Sequence, residues 1–155
     1  MKNSYKNLIK SHFNEHALVL QSTSLNMIDI LEKASSKLSQ VLSNGKKIFW
    51  CGNGGSASDS VHLSAELIGR FKKNRKPLKS IALPNDPATI TCISNDFGFE
   101  KIFSRQIESL GEQGDVLITI TTSGNSKNIL EAIKEAKRKK MKVISFLGKT
   151  GGKCK

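Results

Sequence analysis

Lys46–Ser58 reads KKIFWCGNGGSAS. A short apolar run ends in a glycine-rich loop, and helical spacing follows from Asp59 to Phe71. That is the strand–loop–helix order of an α/β protein. Working outward, LKSIAL (Leu78–Leu83), DVLITIT (Asp115–Thr121) and KVISFL (Lys142–Leu147) read as three more strands. Helical stretches separate them. One starts at Pro87 with Asp86 as its N-cap, one runs from Phe99 to Leu110, and one from Ile129 to Lys140 with basic residues in its last turn. Strands alternating with helices predict βαβ units and a parallel sheet. Nearly continuous apolar strands fit burial on both faces.

Residues 3 to about 44 hold no glycine or proline. Leu8, Ile9, Phe13, Ala17 and Leu20 recur at helical spacing, as do Leu25, Ile28, Leu31, Ala34, Leu38, Val41 and Leu42. One or two amphipathic helices are expected there, ended by Asn44-Gly45. We take residues 1–44 as a helical arm with an oligomer interface, and residues 45–155 as the α/β domain.

Bulk properties narrow the field. The chain has 155 residues, 37% of them apolar, and no stretch long and apolar enough for a membrane span. Its N-terminus lacks a secretory h-region. Three scattered cysteines, Cys51, Cys92 and Cys154, form no CxxC and point to reduced thiols in the cytosol. Cys51 is expected at the end of a buried strand. The net charge is +12, but only four residues are arginine (Arg70, Arg75, Arg105, Arg138) and no aromatics interleave the lysines. A solvated lysine surface that attracts anionic ligands accounts for this better than nucleic-acid binding does.

Two loops carry the chemistry. Gly52–Ser58 (GNGGSAS) lets backbone N–H groups approach a ligand, with Ser56 or Ser58 expected to cap the next helix. Thr121–Ser126 (TTSGNS) offers four hydroxyls before another helix start. In a parallel sheet both lie at carboxyl strand ends, where ligands bind. Neither loop is GxGxxG or a GK[ST] P-loop, and together they suit a small phosphate monoester. His62 and Glu66 share one helix face, with Asp59 beside them. They read as a surface pair, as a half-buried histidine with its partner, as two zinc ligands, or as a carboxylate placed to reach a sugar carbon. His12 and His16, also four apart, read as interface or core residues first.

GNGGSASDSVHLSAELIGRF, SNDFGFEKIFSRQ and TTSGNS together resemble the phosphoheptose isomerases of the sugar isomerase (SIS) domain superfamily. The resemblance runs along essentially the whole chain. It implies a flavodoxin-like three-layer fold with long N-terminal helices, a cytoplasmic homotetramer, and frequent zinc binding. It also implies conversion of sedoheptulose 7-phosphate to D-glycero-D-manno-heptose 7-phosphate for lipopolysaccharide or other surface glycans. No nucleic-acid or membrane partner is expected.

By the same resemblance, Asn53, Gly54, Gly55, Ser56, Glu66, Asn95 and Asp96 contact substrate. Thr121, Thr122, Ser123 and Ser126 hold the phosphate. Glu66 is the catalytic base, and His62 and Glu66 are metal ligands, so two roles draw on one carboxylate. Thr121 replaces the family's usual serine and keeps the hydroxyl. The family continues into a strand and a helix that supply a glutamine and a histidine. This sequence stops at Gly151–Lys155, before both, so the expectation is a polypeptide of low activity by itself. The competing expectation is a non-catalytic SIS module that senses a sugar phosphate or binds a replication initiator. Retention of His62 and Glu66 favours the isomerase.

Overall fold

The computed structural model describes residues 2–155, with side chains from Ser4 onward. Two compact units make up the chain, Met1–Lys37 and Leu38–Lys155. The first holds α1 (Lys2–Asn26) and the start of α2 (Ile28–Ser43). The expected division at residue 44 thus falls earlier, inside α2. The reason is packing: Leu38, Val41 and Leu42 join the core beneath the sheet.

The second unit contains β1 (Ile48–Gly52), α3 (Gly55–Ile68), β2 (Ser80–Ala82), α4 (Pro87–Phe97), α5 (Ser104–Leu110), β3 (Val116–Thr121), α6 (Lys127–Arg138) and β4 (Lys142–Leu147). All four strands are parallel, in the order β2-β1-β3-β4. Alternation of side chains along each strand makes two cores. Phe49, Cys51 and Leu117 face one side and pack with Ile93 of α4, Ile107 of α5 and Ile129 of α6. Ile48, Trp50, Val116 and Ile118 face the other, with Val41 of α2 and Leu67 of α3. The result is the expected three-layer α/β sandwich.

Polar ties fix the layers. Trp50 Nε1 donates to Ser80 Oγ at 2.9 Å, and Ser80 Oγ donates to Ser64 Oγ at 2.9 Å, pinning α3 to the sheet. The fully buried Asp115 accepts from the backbone N–H of Lys47 and of Glu112, each at 2.9 Å, and pairs with the Lys47 ammonium at 3.4 Å. That contact ties the starts of β1 and β3 together.

Several boundaries differ from expectation. The expected β2 shrinks to Ser80–Ala82: at one end Leu83 enters a 3-10 helix (Leu83–Asn85), and at the other Leu78, whose N–H bonds the Leu67 carbonyl, stays outside the strand. Asp86 caps α4 as anticipated, accepting from Ala88 N, with Pro87 in the first helical position. The helix expected over Phe99–Leu110 is broken: Phe99–Lys101 is 3-10, and α5 starts only at Ser104. Ile102 and Phe103, which lie at the break between the two helical pieces, are both buried in the core.

Candidate functional site

β1 and β3 are neighbours, but their connections leave in opposite directions, to β2 on one side and β4 on the other. The carboxyl ends of this pair are therefore the topological switch point of the sheet, where open α/β sheets bind ligands. The register places the two candidate loops there side by side: Gly52 pairs with Ile120, one residue before Thr121.

In the first loop, the chain turns directly from strand to helix. Gly52 allows it, since a Cβ there would lie 2.5 Å from the Ser56 carbonyl oxygen. α3 begins at Gly55 with Gly54 as N-cap and no side-chain cap. This corrects the expectation that Ser56 or Ser58 caps it; both lie within the first turn. Their N–H groups and that of Ala57 return to the carbonyls of Asn53 and Gly54 at 3.0–3.2 Å. The N–H groups of Gly54 and Gly55 precede that closed turn and belong to the helix end that attracts anions. α3 starts earlier than expected and also ends earlier, at Ile68. Gly69 N bonds Ala65 O, and the Arg75 guanidinium donates to the carbonyls of Glu66 at 2.7 Å and Leu67 at 2.8 Å.

The second loop is more internally bonded. Thr121 is buried and its Oγ1 accepts from Gly124 N at 3.2 Å. Ser123 Oγ accepts from Asn125 N, and Asn125 Nδ2 donates to Ser123 O. Thr122 and Ser123 are exposed and Ser126 is half-buried. Ser126 is the N-cap of α6 but makes no side-chain cap bond, so its hydroxyl is available beside the helix start. Residues after β4 close over the loop: Cys154 N donates to Gly124 O and Lys153 N to Asn125 Oδ1, both at 3.1 Å.

A pair of amides joins the loops. Asn53 Nδ2 donates to Asn128 Oδ1 at 3.0 Å, and Asn128 Nδ2 donates to Asn53 Oδ1 at 2.8 Å. Asn128 is buried, and the sequence reading missed it. A signal was present: Asn128 shares the buried stripe of α6 with Ile129, Ala132, Ile133 and Ala136, an unusual place for an unpaired amide.

His62 and Glu66 stand on α3, with Nε2 3.4 Å from Oε1; the histidine side chain is largely exposed and the carboxylate is about two-thirds covered. Asp59 is exposed on the same helix. Two ligands of one tetrahedral zinc, each bound at about 2.0–2.1 Å, are roughly 3.3 Å apart, so the pair fits as two donors. Among the described residues no third His, Cys, Asp or Glu joins them in a group. Asn95 and Asp96 lie exposed near the end of α4, where Asn95 Nδ2 donates to Asp96 Oδ1 at 2.8 Å and the Cys92 thiol donates to Asp96 Oδ2 at 3.8 Å. Their hydrogen bonds are local and reach neither loop. His12 and His16 are both exposed on α1, so the expectation of a core role fails.

Cys51, one residue before the end of β1, is fully buried, as expected, and burial, with a smaller effect of Cys154, pushes its thiol well above the ordinary range. It is a packing residue rather than a nucleophile.

A parallel three-layer sheet with two ligand-ready loops at its switch point, and a His–Glu pair beside one of them, defines an α/β ligand-binding domain of the SIS type. The SIS domain family model matches residues 11–148. The phosphoheptose isomerase of Campylobacter concisus is 47% identical over 155 residues, covering 98% of this chain and 78% of its own length. That of Helicobacter pylori is 48% identical over 149 residues, covering 96% and 78%. The solved structure of the Neisseria gonorrhoeae phosphoheptose isomerase superposes with a TM-score of 0.90 at 40% identity, over 96% of this chain and 78% of that one. The chain belongs to the phosphoheptose isomerase family of SIS-domain proteins.

Proposed function

We propose that this protein is a sugar-phosphate isomerase that converts sedoheptulose 7-phosphate to D-glycero-D-manno-heptose 7-phosphate. The observation that carries the reading is the placement of the Glu66 helix directly after one of two adjacent loops at the sheet's switch point. The kinship with phosphoheptose isomerases supplies the substrate class.

In this reading, the hydroxyls of Thr122, Ser123 and Ser126 and the α6 N-terminus hold the 7-phosphate. Thr121 acts from beneath by fixing Gly124. Asn53, Gly54, Gly55 and Ser56 line the sugar, and Asn95 and Asp96 approach it from α4. Glu66 takes a proton from carbon 1 of the ketose, and the electron pair left behind forms the enediolate with the carbon 2 carbonyl. Return of a proton to carbon 2, and transfer of one between the two oxygens, yields the aldose. His62 and Glu66 contribute two ligands to a zinc site, and such an ion, when bound, stabilises negative charge on an oxygen of the substrate. The enzyme works as a cytoplasmic homotetramer that feeds heptose into lipopolysaccharide or another surface glycan. The free cysteines Cys51, Cys92 and Cys154 suit the cytoplasm. The apolar residues that α1 leaves exposed suit an oligomer.

Hydrogen exchange at carbon 1 tests the base apart from the rest of the reaction. In D2O the protein should wash deuterium into sedoheptulose 7-phosphate. Glu66→Gln should slow this by about 100-fold or more, within the usual contribution of a general base, while leaving substrate affinity within a few fold. Equal exchange by the variant removes Glu66 from the mechanism.

A further inference from the structure

We infer that Asn128 is a positioning residue for the sugar end of the site: it sets the orientation of the Asn53 side chain and thereby couples the two loops. The inference deepens the isomerase reading and rests on it, since Asn53 matters to catalysis only if the first loop meets the sugar.

The hydrogen-bond inventory carries the argument. A carboxamide has two N–H groups and two acceptor lone pairs. Asn128 Oδ1 accepts from Asn53 Nδ2 at 3.0 Å and from its neighbour's backbone, Ile129 N, at 3.0 Å. The backbone donor makes the assignment unambiguous, because an Asn128 amide turned end for end would aim an N–H at the Ile129 N–H. With Oδ1 fixed, Nδ2 must face Asn53, and it donates to Asn53 Oδ1 at 2.8 Å. That bond in turn fixes which end of Asn53 is oxygen. One N–H and one lone pair of Asn53 are consumed, so one of each remains for a ligand, in a defined arrangement. Asn128 itself is 2% exposed and held in the first turn of α6. It is therefore a rigid reference for a residue on a glycine-rich loop.

Without Asn128, the Asn53 amide samples several rotamers and both end-for-end states. If roughly a tenth of these are competent, apparent affinity falls about tenfold, in proportion to that fraction. The phosphate end should change little, since the hydroxyls of Thr122, Ser123 and Ser126 do not bond Asn53 and the substitution leaves the backbone N–H groups at the head of α6 in place.

Calorimetric or NMR titration of the wild-type protein, N128A, N53A and the N53A/N128A double variant tests this, using sedoheptulose 7-phosphate and inorganic phosphate separately. We expect N128A to weaken the sugar phosphate about tenfold, to leave inorganic phosphate within about twofold, and to add nothing in the N53A background, since coupled residues are non-additive. Additive losses, or equal losses for both ligands, mark a merely structural residue and overturn the inference. Unchanged sugar-phosphate affinity in N128A overturns it too, with the isomerase reading intact. A wild-type protein that binds neither ligand sinks that reading and this inference with it. Should N128A not fold, wild-type NMR decides: the Asn53 side-chain NH2 should exchange with water more slowly than that of an unstructured asparagine. Free exchange rejects the pair.

Discussion

Gly124 sits at the tip of the second loop with φ +64°, and the position of a Cβ there lies 1.8 Å from the carbonyl oxygen of Gly151. Two demands meet in one residue, a left-handed backbone and the absence of a side chain. Gly124→Ala should cost about 1–3 kcal/mol from the backbone conformation alone, and more from displacing Gly151. Chemical denaturation measures the first effect. Inorganic phosphate affinity, read by titration, should fall with it, because Ser123 adjoins Gly124 and Ser126 lies two residues beyond it. A variant with native stability and affinity would show that the loop and the Gly151–Cys154 turn do not depend on each other. At this scale the sequence was only half legible. The Ser/Gly/Asn signature of both loops stood out, because it is local. The Asn53–Asn128 pair did not, because it joins residues from separate elements that only the β1–β3 adjacency brings together.

At the scale of elements, the four strands and the helices between them were legible, since periodicity reports burial directly. Errors gathered where tertiary packing overrides it. The helix expected over Phe99–Leu110 breaks at Ile102 and Phe103, both buried in the core. The start of α3 moved because a strand-to-helix turn at Gly52 needs no capping side chain. α6 shows how elements are joined across the surface. Its Glu131 accepts from Lys134 at 2.7 Å and from Lys101, in the 3-10 turn before α5, at 2.9 Å. Those bonds hold its carboxyl down from 4.5 to about 2. A depressed carboxylate pKa adds stability that is fully present above the unfolded value and lost as pH falls through the folded one. The contribution therefore fades between about pH 4.5 and 2. Glu131→Gln should flatten the acid limb of a stability-versus-pH curve in that window by lowering stability above it, pH 7 included, by at most about 1 kcal/mol for so solvent-screened a pair, and should match the wild type once the carboxylate is protonated near pH 2. An unchanged acid limb would mean the two lysines do not hold the carboxylate in solution.

On the scale of the whole molecule, the question is what covers α1. Tyr5, Leu8, Ile9, Phe13, Leu18, Val19, Leu20 and Leu25 are all more than half exposed. Scattered apolar residues on a surface are ordinary, but a 25-residue helix carrying this many is not. In the proposed tetramer they lie against other copies. Sedimentation velocity should give a mass near four times 17.0 kDa, and Leu8→Glu with Phe13→Glu should shift it toward smaller species. A wild-type monomer at micromolar concentration would remove the tetramer. No described helix is long and apolar enough to cross a membrane, so these residues do not form a membrane span.

The two helices that open onto the switch point share one more property. Neither Gly54 at the head of α3 nor Ser126 at the head of α6 provides a side-chain cap. Against a capping side chain, glycine at the head of α3 gives up only a few tenths of a kcal/mol, and a serine whose hydroxyl does not cap, at the head of α6, up to about 1 kcal/mol. In the proposed complex the substrate's phosphate meets the head of α6 and its sugar the head of α3. Occupancy and folding are thereby linked: the filled protein should melt at a higher temperature, rising with the logarithm of ligand concentration above the dissociation constant. The first turns of α3 and α6 become the places where that linkage is felt, with backbone amides that exchange faster when the crevice is empty. Two helix starts without a capping side chain would thus tie the protein's stability to the occupancy of its site.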